Sequence, residues 1–187
     1  GVQVCGENRV QELTAHLEAG AYEGAGVHFI GHLQTNKVKQ VVGKAALIHS
    51  VDSQRLLQAI DSQAGKLGLV QDILLEVNIA GEESKGGCTP QEAEELAALA
   101  EGMDHVRLRG LMAIPPVAAG PDGNRPFFAK MRQLYVDIRS QMDDNKTSFD
   151  CLSMGMSGDF EDAVREGATL VRVGTALFGP RPPMHKG

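Results

Sequence analysis

Short runs rich in Val, Ile and Leu alternate along the chain with longer stretches whose apolar residues return every three or four positions. The runs predict strands at Val2–Gly6, Val27–Ile30, Leu47–Val51, Asp72–Ile79, Val106–Ile114, Phe149–Met154 and Leu170–Phe178. The intervening stretches predict six helices. Asn8–Ala19 carries Val10, Leu13 and Leu17 as its apolar stripe. Asp52–Leu67 gathers Leu56, Leu57, Ile60, Ala64 and Leu67 on one face, and Arg125–Met142 gathers Phe128, Met131, Leu134, Tyr135, Ile138 and Met142. The best delimited helix is Thr89–Gly102. There Thr89 can cap, Pro90 suits the first position, Glu92 completes a capping box and Gly102 can end the helix.

Seven strands alternating with six helices predict a parallel α/β protein, either an open doubly wound sheet or a closed (β/α)8 TIM barrel. The last strand favours the barrel. Its period of two puts Arg172 and Gly174 on one face and Val171 and Val173 on the other. A barrel offers an interior for the arginine and a helix layer for the valines. A barrel also needs eight strands, usually in about 250 residues. The reading therefore expects one domain spanning residues 1–187, with a first βα unit missing ahead of Gly1.

Composition narrows the function. The chain is 42% hydrophobic and 22% charged, which excludes wholesale disorder. Eighteen Lys and Arg against 24 Asp and Glu leave a net charge of −6, which argues against general nucleic-acid binding. Cys5, Cys88 and Cys151 show neither metal spacing nor a disulfide framework. No apolar run reaches the roughly 18 residues of a transmembrane helix, and no signal-peptide pattern opens the chain. These features predict a reduced, cytoplasmic protein away from membranes. The glycines, 22 of 187 residues, follow no period and suit turns and close backbone approaches.

The candidate chemistry lies at strand ends. Ser153-Met154-Gly155-Met156-Ser157-Gly158-Asp159 closes one strand and opens a short helix, and Gly174-Thr175 follows the next strand. Hydroxyls and backbone N–H groups in two such turns suit a phosphate, which barrel proteins often hold after their last two strands. The plainer alternative makes Ser157 a helix cap and Gly174 a packing glycine. Arg172 needs an acceptor if buried. Either an acidic neighbour such as Glu7 or Glu76 supplies it, or a ligand beside the phosphate does, and the sequence leaves both open. His32 reads as a hydrogen-bonding or capping residue rather than a general base. Lys37, Lys39 and Lys85 read as exposed.

Several of these segments together resemble the pyridoxal 5′-phosphate homeostasis proteins of the YggS/PROSC type. They are Gly6-Glu7-Asn8-Arg9-Val10-Gln11-Glu12, His28-Phe29-Ile30-Gly31-His32-Leu33-Gln34-Thr35-Asn36-Lys37 and Ile48-His49-Ser50-Val51-Asp52-Ser53. Val77-Asn78-Ile79 with Ser84-Lys85-Gly86, and Arg109-Gly110-Leu111-Met112-Ala113-Ile114-Pro115, continue the match. Leu152-Ser153-Met154-Gly155-Met156-Ser157 and the run from Val171 to Gly179 complete it, in order from Gly6 to Arg181.

The resemblance implies a barrel like the N-terminal domain of alanine racemase, holding pyridoxal 5′-phosphate (PLP) at the strand C-termini. It assigns the phosphate to Ser157, Gly174 and Thr175, places Arg172 against the pyridine nitrogen, and adds Asn8 to the cofactor-binding set. It implies no catalytic residue and no metal. An arginine so placed does not readily lend a proton, so the ring is a weak electron sink. The implied role is a carrier or regulator of vitamin B6, with PLP-dependent apo-enzymes as partners and a monomer or weak dimer as the assembly.

One departure stands out. The family's PLP lysine lies on a first strand in an Ala-Val-Ser-Lys-type motif, and none of the eight lysines here falls in a predicted strand. The alternative of the same fold, a PLP-dependent amino-acid racemase, would want a second-domain tyrosine as its opposite base. Only Tyr22 and Tyr135 exist here, in or near predicted helices. A phosphate-binding barrel enzyme of central metabolism fits the Ser157/Gly174 pair but not the ordered motifs.

Overall fold

Each βα unit in this chain stacks its strand beside the preceding one. The computed structural model describes residues 2–82, 84–117, 120, 122–142 and 148–179. Gly1 and residues 180–187, the two ends of the expected domain, lie outside the described residues. The strands are β1 (Val4–Glu7), β2 (Gly26–Phe29), β3 (Leu47–Val51), β4 (Gln71–Glu76), β5 (Val106–Met112), β6 (Cys151–Met156) and β7 (Leu170–Arg172). The helices are α1 (Val10–Glu18), α2 (Gln54–Leu67), α3 (Pro90–Glu101), α4 (Arg125–Gln141), α5 (Phe160–Arg165) and α6 (Thr175–Phe178), with a 3-10 segment at Thr35–Gln40. All strands pair in parallel in chain order, β1 through β7, and curve into a nearly closed barrel. Among the described residues β1 pairs only with β2 and β7 only with β6, so the sheet keeps two edges.

The strand periodicity sorts side chains into two layers. Ile48, Ile73, Leu75, Leu111, Leu152 and Met154 share one core with buried residues of the helices, such as Leu13, Leu57 and Phe128. Leu47, Leu74 and Met112 form a separate small cluster, with Cys151 and Leu170 against it, on the concave face. The barrel interior is therefore only partly apolar, which leaves room for polar side chains.

Most of the predicted helical stripes are buried, while Leu17 and Met142 are only half-buried. Val10 and Leu13 of α1 are buried, as are Leu56, Leu57, Ile60 and Ala64 of α2, while Leu67 at the end of α2 is 52% exposed. Phe128, Met131, Leu134, Tyr135 and Ile138 of α4 are buried, each contributing roughly 1.5–3 kcal/mol by removal from water. The capping box of α3 forms in full. Thr89 Oγ1 accepts the Glu92 N–H at 3.2 Å, and Glu92 accepts the Thr89 N–H at 2.7 Å.

β2 and β5 stop slightly short of their predicted ends, at Phe29 and Met112, and β4 and β7 stop well short. β4 stops at Glu76, because Asn78 folds the following loop: its Oδ1 accepts the Glu82 N–H at 3.2 Å and its Nδ2 donates to Glu82 O at 2.8 Å. That loop leaves Lys85 exposed, as expected. β7 stops at Arg172, because the N–H groups of Leu177 and Phe178 both bond Gly174 O and wind the chain into α6. Gly174, Thr175 and Phe178 are therefore outside the strand. Lys37 and Lys39, expected ahead of a helix, lie inside the 3-10 segment.

Candidate functional site at the strand C-termini

The turn after β6 is shaped by a glycine. Gly155 has φ +90°, and a Cβ there would lie 2.5 Å from Ala163 Cβ, so glycine lets α5 fold closely against β6. Asp159 secures the turn, its Oδ1 accepting the Met156 N–H at 2.7 Å and its Oδ2 accepting from Asn124 Nδ2 at 2.6 Å. The cap position of α5 belongs to Asp159, so Ser157 does not cap that helix. Ser157 Oγ instead accepts the Ala176 N–H at 3.2 Å, across to the turn after β7. Accepting that bond leaves the serine proton available to donate elsewhere.

Gly174 stands open. Its φ is −115°, which any residue adopts, and a Cβ built there meets nothing within 4 Å. A packing requirement does not account for the glycine. Thr175 follows it at the exposed start of α6. The structure thus brings Ser157, Gly174 and Thr175 into two bonded turns. Asn8 lies exposed between β1 and α1 at the same end of the sheet, on the other edge strand. Gly31 passes so close that a Cβ would lie 1.9 Å from Asn8 O, which seats the loop after β2 against the Asn8 backbone.

Arg172 reaches inward from β7. Its Nη1 donates to Ser153 Oγ at 2.6 Å and its Nη2 donates to Ala113 O at 2.8 Å. Neither acidic residue considered from the sequence is its partner. Glu7 instead accepts from Tyr22 Oη at 2.5 Å and meets His16 Nδ1 at 2.8 Å. Glu76 acts on Arg172 only as a nearby charge. Among the described residues no carboxylate lies within ion-pair distance of Arg172. Burial lowers the guanidinium to about 10, against the pull of Glu76 and Asp159, so it stays charged at neutral pH. Two of the five N–H bonds of a guanidinium are engaged in these contacts, which leaves donors for a further acceptor.

Behind Arg172 runs a polar file that sequence reasoning did not assemble. Ser153 Oγ lies 3.0 Å from His49 Nδ1, and His49 Nε2 lies 3.0 Å from His28 Nδ1. His49 is 2% exposed. Burial drives His49 well below the ordinary imidazole range, with His28 and Arg172 adding to the effect. Burial, then Arg109, also lowers His28, while Asp72 opposes. Both rings are neutral near pH 7. Beyond His28, toward the strand N-termini, Asp72 accepts from Arg107 and Arg109, each at 2.6 Å, and Arg109 also grips Asp150. At the other end Glu76 is raised by burial and by Asp52, against His32 and Arg172. The clue in the sequence was strand alternation: His28 stands between Val27 and Phe29, and His49 follows Ile48, in strands whose other residues are mostly apolar.

The remaining candidates are quieter. His32 and Lys39 are exposed and Lys37 is partly so. All three cysteines are free, and burial pushes the Cys88 thiol to about 12 and the Cys151 thiol to about 11. Tyr135 donates to Phe149 O at 2.8 Å, in the helix layer.

Comparison with known proteins follows the same lines. The alanine racemase N-terminal domain family matches residues 1–182. A pyridoxal phosphate homeostasis protein of Aquifex aeolicus is 47% identical over 181 residues, covering 97% of this chain and 78% of its own. One of Pseudomonas aeruginosa is 40% identical, covering 97% of this chain and 76% of its own. Among solved structures, PipY of Synechococcus elongatus PCC7942 with PLP bound superposes at a TM-score of 0.84 with 35% identity, over 96% of this chain and 82% of that one. An alanine racemase of Clostridium difficile, 16% identical with a TM-score of 0.73, shares the fold over 98% of this chain and 49% of that one.

Proposed function

Since the chain belongs to the alanine racemase N-terminal-domain family, among its pyridoxal phosphate homeostasis proteins, we propose that it binds PLP and serves vitamin B6 homeostasis as a carrier or regulator. The relatives carry that name, and PipY holds PLP in its structure. The observation that carries the reading is the junction of two turns beside Arg172, made by the Ala176 N–H on Ser157 Oγ.

The residues fit the cofactor. Ser157, Gly174 and Thr175 would hold its phosphate, where hydroxyl and N–H donors converge and the side of Gly174 is open. Arg172 would face the ring nitrogen and Asn8 would close the site from β1. When bound, PLP supplies an electron-withdrawing ring and an aldehyde that condenses with amines. A guanidinium at about 10 keeps its proton at neutral pH, so Arg172 binds the ring nitrogen as a donor without giving the proton up. That favours holding the cofactor over turnover. The racemase alternative gains nothing from the tyrosines, since Tyr22 is tied to Glu7 and Tyr135 to Phe149 O.

The reading extends to the edges of the sheet. The gap between β7 and β1 would receive a further strand bearing the lysine that fixes PLP covalently, for none of the described lysines lies in a strand. PLP-dependent apo-enzymes are the proposed recipients, with a monomer or weak dimer as the assembly and the cytoplasm as the location. Among the described residues no helix is long and apolar enough to cross a membrane. The test titrates the 187-residue chain with PLP, then reduces with borohydride and maps labelled lysines. Saturable binding without a stoichiometric label is expected. Absence of binding would overturn the cofactor reading, a stoichiometric lysine label would overturn the placement of the covalent lysine, and sustained alanine racemisation would overturn the carrier role.

A further inference from the structure

Arg172 donates and cannot accept, so Ser153 Oγ must accept from it at 2.6 Å. The serine has one proton, and His49 Nδ1 at 3.0 Å is the acceptor within reach. That makes Nδ1 of His49 the bare nitrogen and puts the ring proton on Nε2. The Nε2–H then points at His28 Nδ1, 3.0 Å away, which must also be bare. The reverse order would have His28 donate to His49 and His49 donate to Ser153. Ser153 would then accept twice, and its own proton would have no acceptor among the described contacts, in a residue that is fully buried. A stranded buried donor is costly, so the forward order wins.

From this we propose that His49, with His28 behind it, is a positioning residue for Arg172. The directed file Arg172 to Ser153 to His49 to His28 fixes one tautomer on each ring and presents a serine lone pair to the guanidinium. The file crosses the barrel interior, joining β7 to its neighbour β6, β6 to β3 on the far side, and β3 to its neighbour β2. Ala113 O fixes the second guanidinium nitrogen at 2.8 Å. The remaining N–H bonds of Arg172 are thereby aimed, before any ligand arrives, at an acceptor such as a weakly basic ring nitrogen. Both rings being neutral matters here. A charged imidazole has two N–H donors and no acceptor, so it would turn the His49–Ser153 contact around and put a second positive charge in line with Arg172. This inference rests on the PLP reading for the identity of the ligand, and on geometry alone for the file.

The experiment has two arms. In the first, the histidines of the unliganded, unsubstituted protein are labelled with nitrogen-15, and long-range proton–nitrogen correlations report the tautomers at neutral pH. Both rings are expected as Nε2–H, and Ser153→Ala is expected to release that preference at His49. An Nδ1–H tautomer at His49 would overturn the directed file whatever the protein binds. In the second arm, PLP and inorganic phosphate are titrated separately into folded variants. Ser153→Ala and His49→Leu are each expected to weaken PLP about tenfold, the scale of one charge-assisted hydrogen bond. The double variant should lose no more than either single one, because both break the same file. His49→Gln, whose amide can accept and donate in line, should recover part of the loss. Phosphate affinity should not move, since Ser157 and Thr175 stand outside the file. Additive losses, failure of His49→Gln to recover, or an equal loss for phosphate would overturn the positioning role. If the unsubstituted protein binds phosphate but not PLP, the ligand reading falls by itself, and the tautomer arm still decides on the file.

Discussion

Thr175 offers its hydroxyl at the first position of a single helical turn, next to the bond that joins the two loops proposed to hold the phosphate. Valine keeps its shape and removes the donor, so Thr175→Val is expected to weaken PLP by about 1 kcal/mol or more, roughly fivefold. Unchanged affinity in a titration would remove Thr175 from the site. His49 gives a second prediction, on stability. Burial lowers its proton affinity in the folded state, while the unfolded chain takes up a proton near pH 6.5 as usual. Its contribution is therefore complete above about pH 6.5 and is lost as the pH falls below it. The urea midpoint of the unsubstituted protein should drop between about pH 7 and 5 more steeply than that of His49→Gln. Parallel profiles would show that another group governs the acid limb. At this scale the sequence singled out Ser157, Gly174 and Arg172 as candidates, because each stands out within its own short motif. It hid the His49–Ser153 contact, whose partners are 104 residues apart and meet only when β3 and β6 face each other across the barrel.

Helix α3 is the element whose limits were plainest before folding, because its signals are local and all agree. Thr89, Pro90 and Glu92 sit at fixed offsets and satisfy N–H groups that no other part of the molecule serves. Thr89→Ala is expected to cost about 1 kcal/mol, read as a lower denaturant midpoint with an unchanged slope. An unaltered midpoint would mean that the cap is replaced by solvent at no cost. The strand β7 shows the opposite case. Val171, Val173, Thr175 and Phe178 carry high strand propensity, which is why the pattern extended the strand to Phe178. The strand ends six residues earlier because hydrogen bonds to Gly174 O wind the chain into α6. Propensity alone does not record where the neighbouring strand ends.

Among the described residues the sheet has a firm middle and two unshared sides. β4 pairs with both β3 and β5, and six residue pairs join it to β5, while β7 has three residues and one partner. Amide exchange is expected to be slowest in β3 through β5 and fastest in β1 and β7. Uniform protection across all seven strands would mean that the edges are covered in solution, by a second copy or otherwise. The order of the strands was legible from the alternation of helix and strand patterns. The expectation of a further βα unit came from strand count and chain length, because ring closure is a property of the assembled sheet that no local stretch encodes.

The lone guanidinium of Arg172 sets up a conflict between folding and affinity. A positive charge is held inside the barrel on a hydroxyl and a carbonyl, with no carboxylate of the described residues within ion-pair reach, and its side-chain freedom is given up before a ligand arrives. Folding bears that cost, so binding does not bear it a second time. Arg172→Met should therefore leave the unliganded protein more stable, by about 1 kcal/mol or more, while losing most of its affinity for PLP. The melting temperature of the unliganded variant decides the matter: a fall would show that the arginine holds the barrel together, and a rise would show that this molecule gives up robustness in order to be ready.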